Sequence, residues 1–480
     1  MLYTKWIGDF ITMKTLKNIF GVILGNATAI VSGVFVGFVL PKIISVSDYG
    51  MYKIFTLYFN YLGVLSLGII DGIVLKYGGK NYDELDREKF RSVFAWYFIV
   101  NAIFTILIVI VALILGDADY RFVALLLAAN LIPANITGYF QQISQITQRF
   151  TEYSVLKVIQ SIANIFIVIC LLLLYITEWA SIGYRIYLVL LLSLNLMLVI
   201  WYLQTYKEIT FGKKKSLIST LSEVIELVKI GFPLLLANLC TTLLLSIDRQ
   251  FVSICFSTEE YATYAFAYSM LSLITVATSA ISAVIYPIFK RANFNYLREN
   301  YQIINMLLLI FVFLIILVYY PLFYFVEWFL PNYAESLNIF RIILPGLAVS
   351  ASITVVMQNY YKVFDMSLLF FKNSVGVLLI SFLLSVISYL LFGTKEAISI
   401  TSFIALLIWY VITERRINKF CTKSNKNIIY LLLMSSVFYV CTFIPLTWIG
   451  GMINLIVYII STFAFFARDF IDAKNLLISK

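Results

Sequence analysis

The sequence predicts an all-α polytopic membrane protein. Of its 480 residues, 62% are hydrophobic and 12% are charged, whereas a soluble protein carries about a quarter charged residues. Apolar runs of about 18 residues or more, long enough to cross a bilayer as helices, recur from one end of the chain to the other. The strands of a β-barrel would instead alternate apolar and polar residues over about ten positions, so the pattern favours helices.

The apolar runs predict fourteen transmembrane helices. Three consecutive lysines stand in the longest polar connection, residues 206–229, after the sixth span, and they indicate a cytoplasmic linker that attracts anionic membrane lipids. We therefore divide the chain into an N-terminal six-helix bundle (1–205), this linker, a C-terminal six-helix bundle (230–413), and two extra helices with a cytoplasmic tail (414–480). The predicted spans are residues 18–40, 51–75, 92–116, 122–145, 155–176, 184–205, 230–256, 263–289, 303–326, 338–361, 368–391, 397–413, 428–447 and 450–467.

The distribution of basic residues predicts the topology. With the N-terminus in the cytoplasm, 28 of the 35 lysines and arginines fall in cytoplasmic segments, six lie outside, and Arg249 stands inside a span. Cytoplasmic loops of membrane proteins carry such an excess of positive charge, so we predict that both termini are cytoplasmic. The same distribution accounts for the net charge of +10 without a nucleic-acid partner.

The composition argues against several kinds of catalytic and cofactor site. The chain has no histidine, and its five cysteines lie singly without a CxxC spacing, so we expect no metal site of the usual Cys/His kind. The pattern GxxxxGK[ST] is absent from the sequence, which argues against ATP hydrolysis by this chain. No large loop stands between the predicted spans to house a glycosyltransferase site. We expect a protein that is not an enzyme and that needs no cofactor.

An internal repeat indicates two homologous halves. Residues 232–264 align without a gap on residues 20–52, and binding sites in repeated membrane proteins tend to lie between such halves. Asn238 falls on Asn26 in this alignment. We favour a packing role for both amides, because such side chains hydrogen-bond across membrane helices. Contact with a substrate is the alternative.

Adjacent charges occur in only one copy of the repeat. Asp248 and Arg249 interrupt the seventh span, where a charge costs roughly 2.5–3.5 kcal/mol and usually faces a cavity or a partner. About 19 residues separate Arg249 from the inner end of the span, which is roughly 28 Å along a helix. Arg249 therefore either extends to the outer headgroups or, as we favour, lines a cavity open to the outside. Asp248 points about 100° away from it and faces a neighbouring helix or the same cavity.

Three charged residues in or directly after the second span are further candidates for substrate binding. Lys53 stands near the depth of Arg249. The two cations either form a patch suited to phosphate or an acidic sugar, or Lys53 simply anchors the helix at the interface. Asp71, near the inner end of the span, either binds a coupling cation or a sugar hydroxyl, or only closes the helix. Lys76 follows it by about one turn and is included with it.

The tenth span closes with a polar cluster. Gln358 is followed by an asparagine and two tyrosines, and Lys362 comes directly after them. Such a cluster either ends the helix at the interface or contacts a polar substrate. We include Gln358 and Lys362 among the candidate substrate-binding residues.

Motifs in both copies of the repeat resemble those of a known family. LPKIISVSDYGMY follows the first span, YLGVLSLGIIDGIVLKYG comes after it, and SIDRQFVS and EEYATYAFAYSML open the second half. In order and spacing they are similar to the motifs of bacterial polysaccharide flippases of the Wzx type. These belong to the multidrug/oligosaccharidyl-lipid/polysaccharide (MOP) exporter superfamily. Ala262 departs from the family pattern, which has glycine after the acidic residue.

The resemblance implies a fold and a function. The expected fold is MATE-like, with two homologous six-helix bundles around a central cavity and two C-terminal helices. The expected function is translocation of undecaprenyl-pyrophosphate-linked oligosaccharide repeat units across the bacterial inner membrane by alternating access, for O-antigen or capsule biosynthesis. Asp248, Arg249, Asp71 and Lys76 match positions of the family motifs.

The sequence leaves two other functions open. A cation-coupled small-molecule or multidrug antiporter of the same superfamily would need an acidic cavity, and most of the candidate residues are basic or neutral. A polymerase or ligase of surface polysaccharide would show a large outer loop, which the predicted topology lacks. Under the flippase hypothesis, the partners are the lipid-linked oligosaccharide, membrane lipids, a polysaccharide polymerase and a coupling ion, H⁺ or Na⁺.

Overall fold

The fold is seen in a computed structural model that describes residues 13–178 and 182–478. Every regular element in these ranges is helical, which confirms the predicted all-α class. The chain divides into two compact units, Met1–Leu239 and Cys240–Lys480.

The first unit is built from long helices joined by short connections. Asp86 caps the helix that follows it, because its Oδ1 accepts a hydrogen bond of 3.0 Å from the backbone N–H of Lys89. Such side chains satisfy N–H groups that a helix leaves unpaired at its start. The helices are α1 (Met13–Ile43), α2 (Val46–Phe59), α3 (Ile69–Tyr77), α4 (Arg87–Ile114), α5 (Ala118–Ile146), α6 (Phe150–Ile176), α7 (Tyr184–Thr205), α8 (Lys207–Thr210) and α9 (Leu217–Leu244). The last turn of α9, from Cys240, belongs to the second unit.

The second unit contains both long and short helices. Thr394 caps the helix after it by accepting a hydrogen bond from the N–H of Ala397. A π-helical segment, Ser352–Met357, interrupts one series of short helices. The helices are α10 (Ile247–Cys255), α11 (Thr258–Arg291), α12 (Phe294–Ile316), α13 (Tyr319–Phe329), α14 (Ser336–Ile343), α15 (Gly346–Ala351), α16 (Gln358–Val363), α17 (Ser367–Phe392), α18 (Lys395–Ile417), α19 (Lys426–Thr442) and α20 (Thr447–Ile478).

The second predicted span, residues 51–75, is a broken helix. Its two parts, Val46–Ser66 and Ile69–Tyr77, meet at an angle of 59°. Leu67 and Gly68 take left-handed backbone angles at the break, with φ of 54° and 80°. Glycine adopts this conformation without steric cost, so Gly68 favours the change of direction.

Two later spans are also broken. The seventh was predicted to run through 230–256, but α9 ends at Leu244 and α10 begins at Ile247. Helix α9 begins at Leu217, so part of the predicted linker is helical. The tenth span bends by 43° between α14 and α15, at Pro345, which lacks the N–H that a continuous helix needs.

The number of spans is close to the predicted fourteen. Ten helices among the described residues are long and apolar enough to cross a membrane, and twelve spans result if each bent pair is one span. The two remaining predicted spans, 263–289 and 428–447, correspond in position to α11 and α19. The chain is a multi-pass membrane protein, while the exact count and the four-part division remain predictions.

Aromatic rings fill the core of the first unit. The ring of Phe140 stacks on Tyr206 and Tyr202 with centroids 5.2 and 5.8 Å apart, and Tyr97 stacks on Tyr139 at 5.2 Å. Ring pairs at these distances add to the attraction that burial alone provides. They join helices α4, α5 and α7.

A close crossing of α3 and α9 depends on glycines. A Cβ atom added at Gly72 would lie 2.1 Å from the carbonyl oxygen of Leu227, and one added at Gly231 would lie 2.0 Å from that of Gly68. These distances are far below contact, and the obstructing atoms belong to the backbone. Small residues allow membrane helices to approach in this way.

We expect Gly231→Ala to destabilise the protein, because the backbone of α3 cannot yield as a flexible side chain would. Overpacking typically costs about 1–3 kcal/mol, and the loss here should lie at the upper end. Thermal unfolding of the purified protein in detergent measures it. Gly33→Ala is the matched control, since a Cβ there meets nothing within 4 Å. Equal melting temperatures for the two variants would contradict the close crossing.

Candidate functional site

The break between α9 and α10 determines the position of the charged pair in the seventh span. Ser246 lies in the break, and its hydroxyl donates a hydrogen bond of 2.7 Å to the carbonyl oxygen of Thr242. Helix α10 starts at Ile247, which places Asp248 in its first turn. A negative charge is favoured there by the helix dipole.

Asp248 is directed toward α11. Only 1% of its surface is exposed. Its Oδ2 accepts a hydrogen bond of 2.7 Å from the hydroxyl of Tyr264 and a second bond from the hydroxyl of Tyr268. The two tyrosines are four residues apart, so both lie on one face of α11. The carboxylate therefore has two donors inside the protein, and it fastens α10 to α11.

Arg249 lies on the other side of the same turn. Its Nη2 donates a hydrogen bond of 2.8 Å to the carbonyl oxygen of Leu245 at the helix break. Its Cζ lies 4.6 Å from the centre of the Tyr268 ring, within the range of a cation–π contact. Among the described residues, its buried Nε has no hydrogen-bond partner. The guanidinium is thus held in place but retains donor capacity.

Arg249 lines a cavity of about 400 Å³ in the second unit. Of the described residues that line it, Arg249 alone carries a charge, and many of the others present hydroxyl groups or aliphatic side chains. Six of the seven lining hydroxyls donate a hydrogen bond to another protein group, so toward a ligand they act as acceptors. The lining therefore suits a ligand that carries hydroxyl groups and a negative charge. The hydroxyl-bearing residues are Tyr268, Ser272, Thr275, Thr278, Ser350, Thr354 and Ser402.

The backbone beside the cavity is irregular. Thr354 belongs to the π-helical segment, and Gly346 begins the helix after the bend at Pro345. Segments of π-helix occur mostly as single-turn interruptions and are frequent at functional sites. The irregular part of the tenth span thus coincides with the cavity wall.

The structure does not bring the polar cluster of the tenth span to this cavity. Gln358 is half-buried and Lys362 is exposed, both on α16, and neither lines the cavity. Asn238 is an exposed residue of α9. The substrate contacts assigned to these three residues remain predictions.

In the first unit, Lys53 lies beside aromatic rings. Its Nζ is 5.1 Å from the ring centres of both Tyr49 and Tyr52. These contacts stabilise an ammonium group that is half-buried. They are compatible with both interpretations of Lys53, as an interface anchor or as part of an anion site.

Lys76 belongs to an ion-pair network that joins three helices. Its Nζ lies 3.0 Å from Glu223 Oε1 and 2.7 Å from Glu226 Oε2, and Lys89 Nζ lies 2.8 Å from Glu223 Oε1. The hydroxyl of Tyr77 donates to the same Glu223 oxygen at 2.8 Å. The network fastens α3 and α4 to the start of α9. Asp71 is half-buried in the first turn of α3.

Lys157 is a membrane cation that sequence reasoning missed. Its Nζ donates a hydrogen bond of 2.6 Å to Asn26 Oδ1 and one of 3.1 Å to the hydroxyl of Tyr153. The sequence feature that could have revealed this residue is a lysine at the third position of the apolar run 155–176. The packing role favoured for Asn26 thus has a specific partner, on α6.

The comparisons with known proteins identify the family. The family model described as Polysaccharide biosynthesis protein matches residues 15–293, more than half of the chain. The chain belongs to this family. The match confirms the resemblance seen in the motifs. No curated protein sequence matches the chain.

Solved structures show the same fold as this polysaccharide biosynthesis protein. The lipid II flippase MurJ, in an inward closed conformation, has a TM-score of 0.70 at 16% identity, covering 95% of this chain and 100% of that one. An inward-facing multidrug resistance MATE family transporter of the MOP superfamily scores 0.60 at 13% identity, with 83% and 98% covered. A MOP superfamily transporter from Pyrococcus furiosus, described for the reverse polarity of its binding pocket, scores 0.54 at 14% identity, with 84% and 95% covered. These similarities confirm the MATE-like fold.

We expect Asn26→Leu to destabilise the protein, because it leaves the half-buried ammonium of Lys157 without its carboxamide acceptor. Hydrogen bonds to charged groups contribute about 1.5–3 kcal/mol. Thermal unfolding in detergent measures the loss, and the double variant Asn26→Leu/Lys157→Met is the control. Removing both partners should restore much of the stability. If the two substitutions were simply additive, the bond would contribute nothing.

Proposed function

We propose that the protein is a flippase and not an enzyme. It translocates undecaprenyl-pyrophosphate-linked oligosaccharide repeat units across the bacterial inner membrane, for O-antigen or capsule biosynthesis. Membership of the polysaccharide biosynthesis family and the MurJ- and MATE-like fold support this proposal. MurJ itself is named for flipping lipid II, a lipid-linked molecule, and the proposal extends that class of substrate to this chain.

The observation that carries the proposal is the position of Arg249 in the hydroxyl-lined cavity. A guanidinium with free donor capacity binds the oxygens of a pyrophosphate through charge-assisted hydrogen bonds. Hydroxyl groups of the lining replace the water around sugar hydroxyls. The volume of about 400 Å³ lies within the range of about 300–1,000 Å³ found for small-ligand sites.

We propose alternating access as the mechanism. Spans with discontinuous helices build the substrate sites of many transporters, and this chain has breaks at Gly68, Ser246 and Pro345. Element ends of this kind absorb large changes of backbone angle. Transport would then move the polar head through the protein while the lipid tail stays in the bilayer.

The placement in the cell and the partners belong to the same proposal. Both termini lie in the cytoplasm, as the excess of basic residues in the predicted cytoplasmic segments supports. Besides the lipid-linked oligosaccharide and membrane lipids, a polysaccharide polymerase receives the product, and a coupling ion, H⁺ or Na⁺, drives the cycle.

The test is the accumulation of lipid-linked repeat units in a strain that lacks the gene. Wild-type protein should clear them. We expect Arg249→Ala to lower the rate of flipping about 10- to 100-fold, because one charge-assisted interaction with the pyrophosphate, about 1.5–3 kcal/mol, is lost. Arg249→Lys should retain part of the activity, since a lysine keeps the charge but not the fork geometry.

The matched control is Arg415→Ala, which removes an exposed arginine of the second unit. It should flip substrate at the wild-type rate with equal abundance in the membrane. Full activity of both Arg249 variants would exclude Arg249 from the mechanism. A deletion strain that becomes drug-sensitive without accumulating lipid-linked sugars would instead favour the antiporter.

A further inference from the structure

A second buried carboxylate of the second unit lies away from the cavity. Glu414, on α18, has 4% of its surface exposed, and it does not line the cavity that contains Arg249. It shares one face of α18 with Tyr410, four residues earlier. The phenol of Tyr410 interacts with the carboxyl group of Glu414.

A matching pair on α12 faces these two residues. The Nδ2 of Asn305 donates a hydrogen bond of 3.2 Å to the hydroxyl of Tyr410. Tyr301, four residues before Asn305, interacts electrostatically with Glu414. The side chains of Asn305, Tyr301 and Tyr410 are all fully buried. Four polar side chains from two helices thus meet in one enclosed place.

Three oxygens of this cluster have no hydrogen-bond partner among the described residues. They are Glu414 Oε1, Asn305 Oδ1 and the hydroxyl oxygen of Tyr301. More than about 90% of buried polar groups in proteins are paired, and an unpaired buried carboxylate costs far more than a neutral group. Asn305 already uses an N–H of its amide on Tyr410, and its Oδ1 can only accept. The hydroxyl of Tyr301 can donate its one proton to one of the other two oxygens, so at least one acceptor, on the carboxylate or on the amide, is left without a donor.

Among the described residues, no cation compensates the charge of this carboxylate. Within the described residues Glu414 forms no ion pair, and Arg415 and Arg416, which follow it, are exposed. Two titratable groups interact with the carboxyl group of Glu414. They are the phenol of Tyr410 on the same helix and the phenol of Tyr301 on α12. Apart from these phenols, no titratable group of the described elements packed against α18, namely α10, α14, α15, α17 and the π-helical segment, interacts with the carboxyl group. Phenols donate protons but carry no positive charge.

We propose that Glu414 is the centre of a binding site for a small monovalent cation, a proton or a sodium ion. A proton on Oε1 converts the carboxyl into a donor for a neighbouring acceptor oxygen. A sodium ion takes carboxylate, amide and hydroxyl oxygens as ligands. Either cation removes the cost of the unpaired charge. This site adds detail to the proposed function. It rests on that proposal only for the statement that the bound cation is the coupling ion.

The experiment measures cation binding by the purified full-length protein in detergent, without any lipid-linked substrate. One arm counts bound ²²Na⁺, and the other counts bound protons near neutral pH by potentiometric titration. In one of the two arms the wild-type chain should hold about one cation more than Glu414→Gln. A sodium site releases ²²Na⁺ on acidification, whereas a site for protons alone shows the difference only in the titration.

Glutamine has the shape of glutamate, so the variant should fold, which gel filtration and circular dichroism check. The control is Glu327→Gln, which removes an exposed carboxylate of the same unit and should leave ²²Na⁺ binding unchanged. Equal counts for wild type and Glu414→Gln in both arms would overturn the proposal. Because no flipping is measured, this failure is distinct from a failure of the flippase assignment.

Discussion

The hydrogen bonds from Tyr264 and Tyr268 to Asp248 show the constraint on which the second unit depends. A bilayer offers no water to a polar group, so each buried donor or acceptor needs a partner within the protein. Asp248 obtains two phenolic donors from one face of α11. This pairing fixes the start of α10, and the start of α10 in turn fixes Arg249, the next residue, on the wall of the cavity.

The same constraint governs the helix breaks. A break exposes carbonyl groups that a continuous helix would satisfy. At the break in the seventh span, Arg249 donates to the carbonyl of Leu245, and Ser246 donates to that of Thr242. Irregular backbone at membrane depth is tolerated where protein or a cavity surrounds it. The break and the cavity are therefore two parts of one arrangement, in which the Arg249 side chain that satisfies the backbone also lines the cavity.

The sequence was sufficient for the fold class and the family, because both rest on patterns along the chain. Hydropathy marked the apolar runs, and the repeat with its motifs marked two halves. Hydropathy did not mark the breaks, since it averages over a window and does not report backbone angles. Gly68 and Pro345 were the local signals for two of them. At the third, Ser246 favours a non-helical backbone, but the apolar residues around it obscure that preference.

The interaction partners of the candidate residues were harder to predict than the candidate residues themselves. The sequence singled out Lys76 and Asn26, but their partners Glu223 and Lys157 lie more than a hundred residues further along the chain. Only the packed helices bring such residues together. The intramembrane charge at Arg249 was visible because it interrupts an apolar run. Its surroundings of hydroxyl groups come from α11, α15 and α18 and the π-helical segment, and no local pattern connects these elements.

The second unit contains two buried carboxylates that differ in their hydrogen-bond partners, and this difference indicates which of them has a structural role and which suits a bound cation. Asp248 and Glu414 are both almost inaccessible, and each lies beside phenols. Asp248 accepts two hydrogen bonds on one oxygen, so its charge is stabilised by the fold itself and it has no need of a mobile ion. Glu414 retains an unpaired oxygen, and the amide oxygen of Asn305 in the same cluster is unpaired as well. A group whose charge the fold leaves uncompensated favours the binding of a cation, because binding relieves a cost that the protein otherwise bears. The hydrogen-bond partners, and not the residue type or the depth of burial, therefore distinguish a structural carboxylate from one suited to bind a cation.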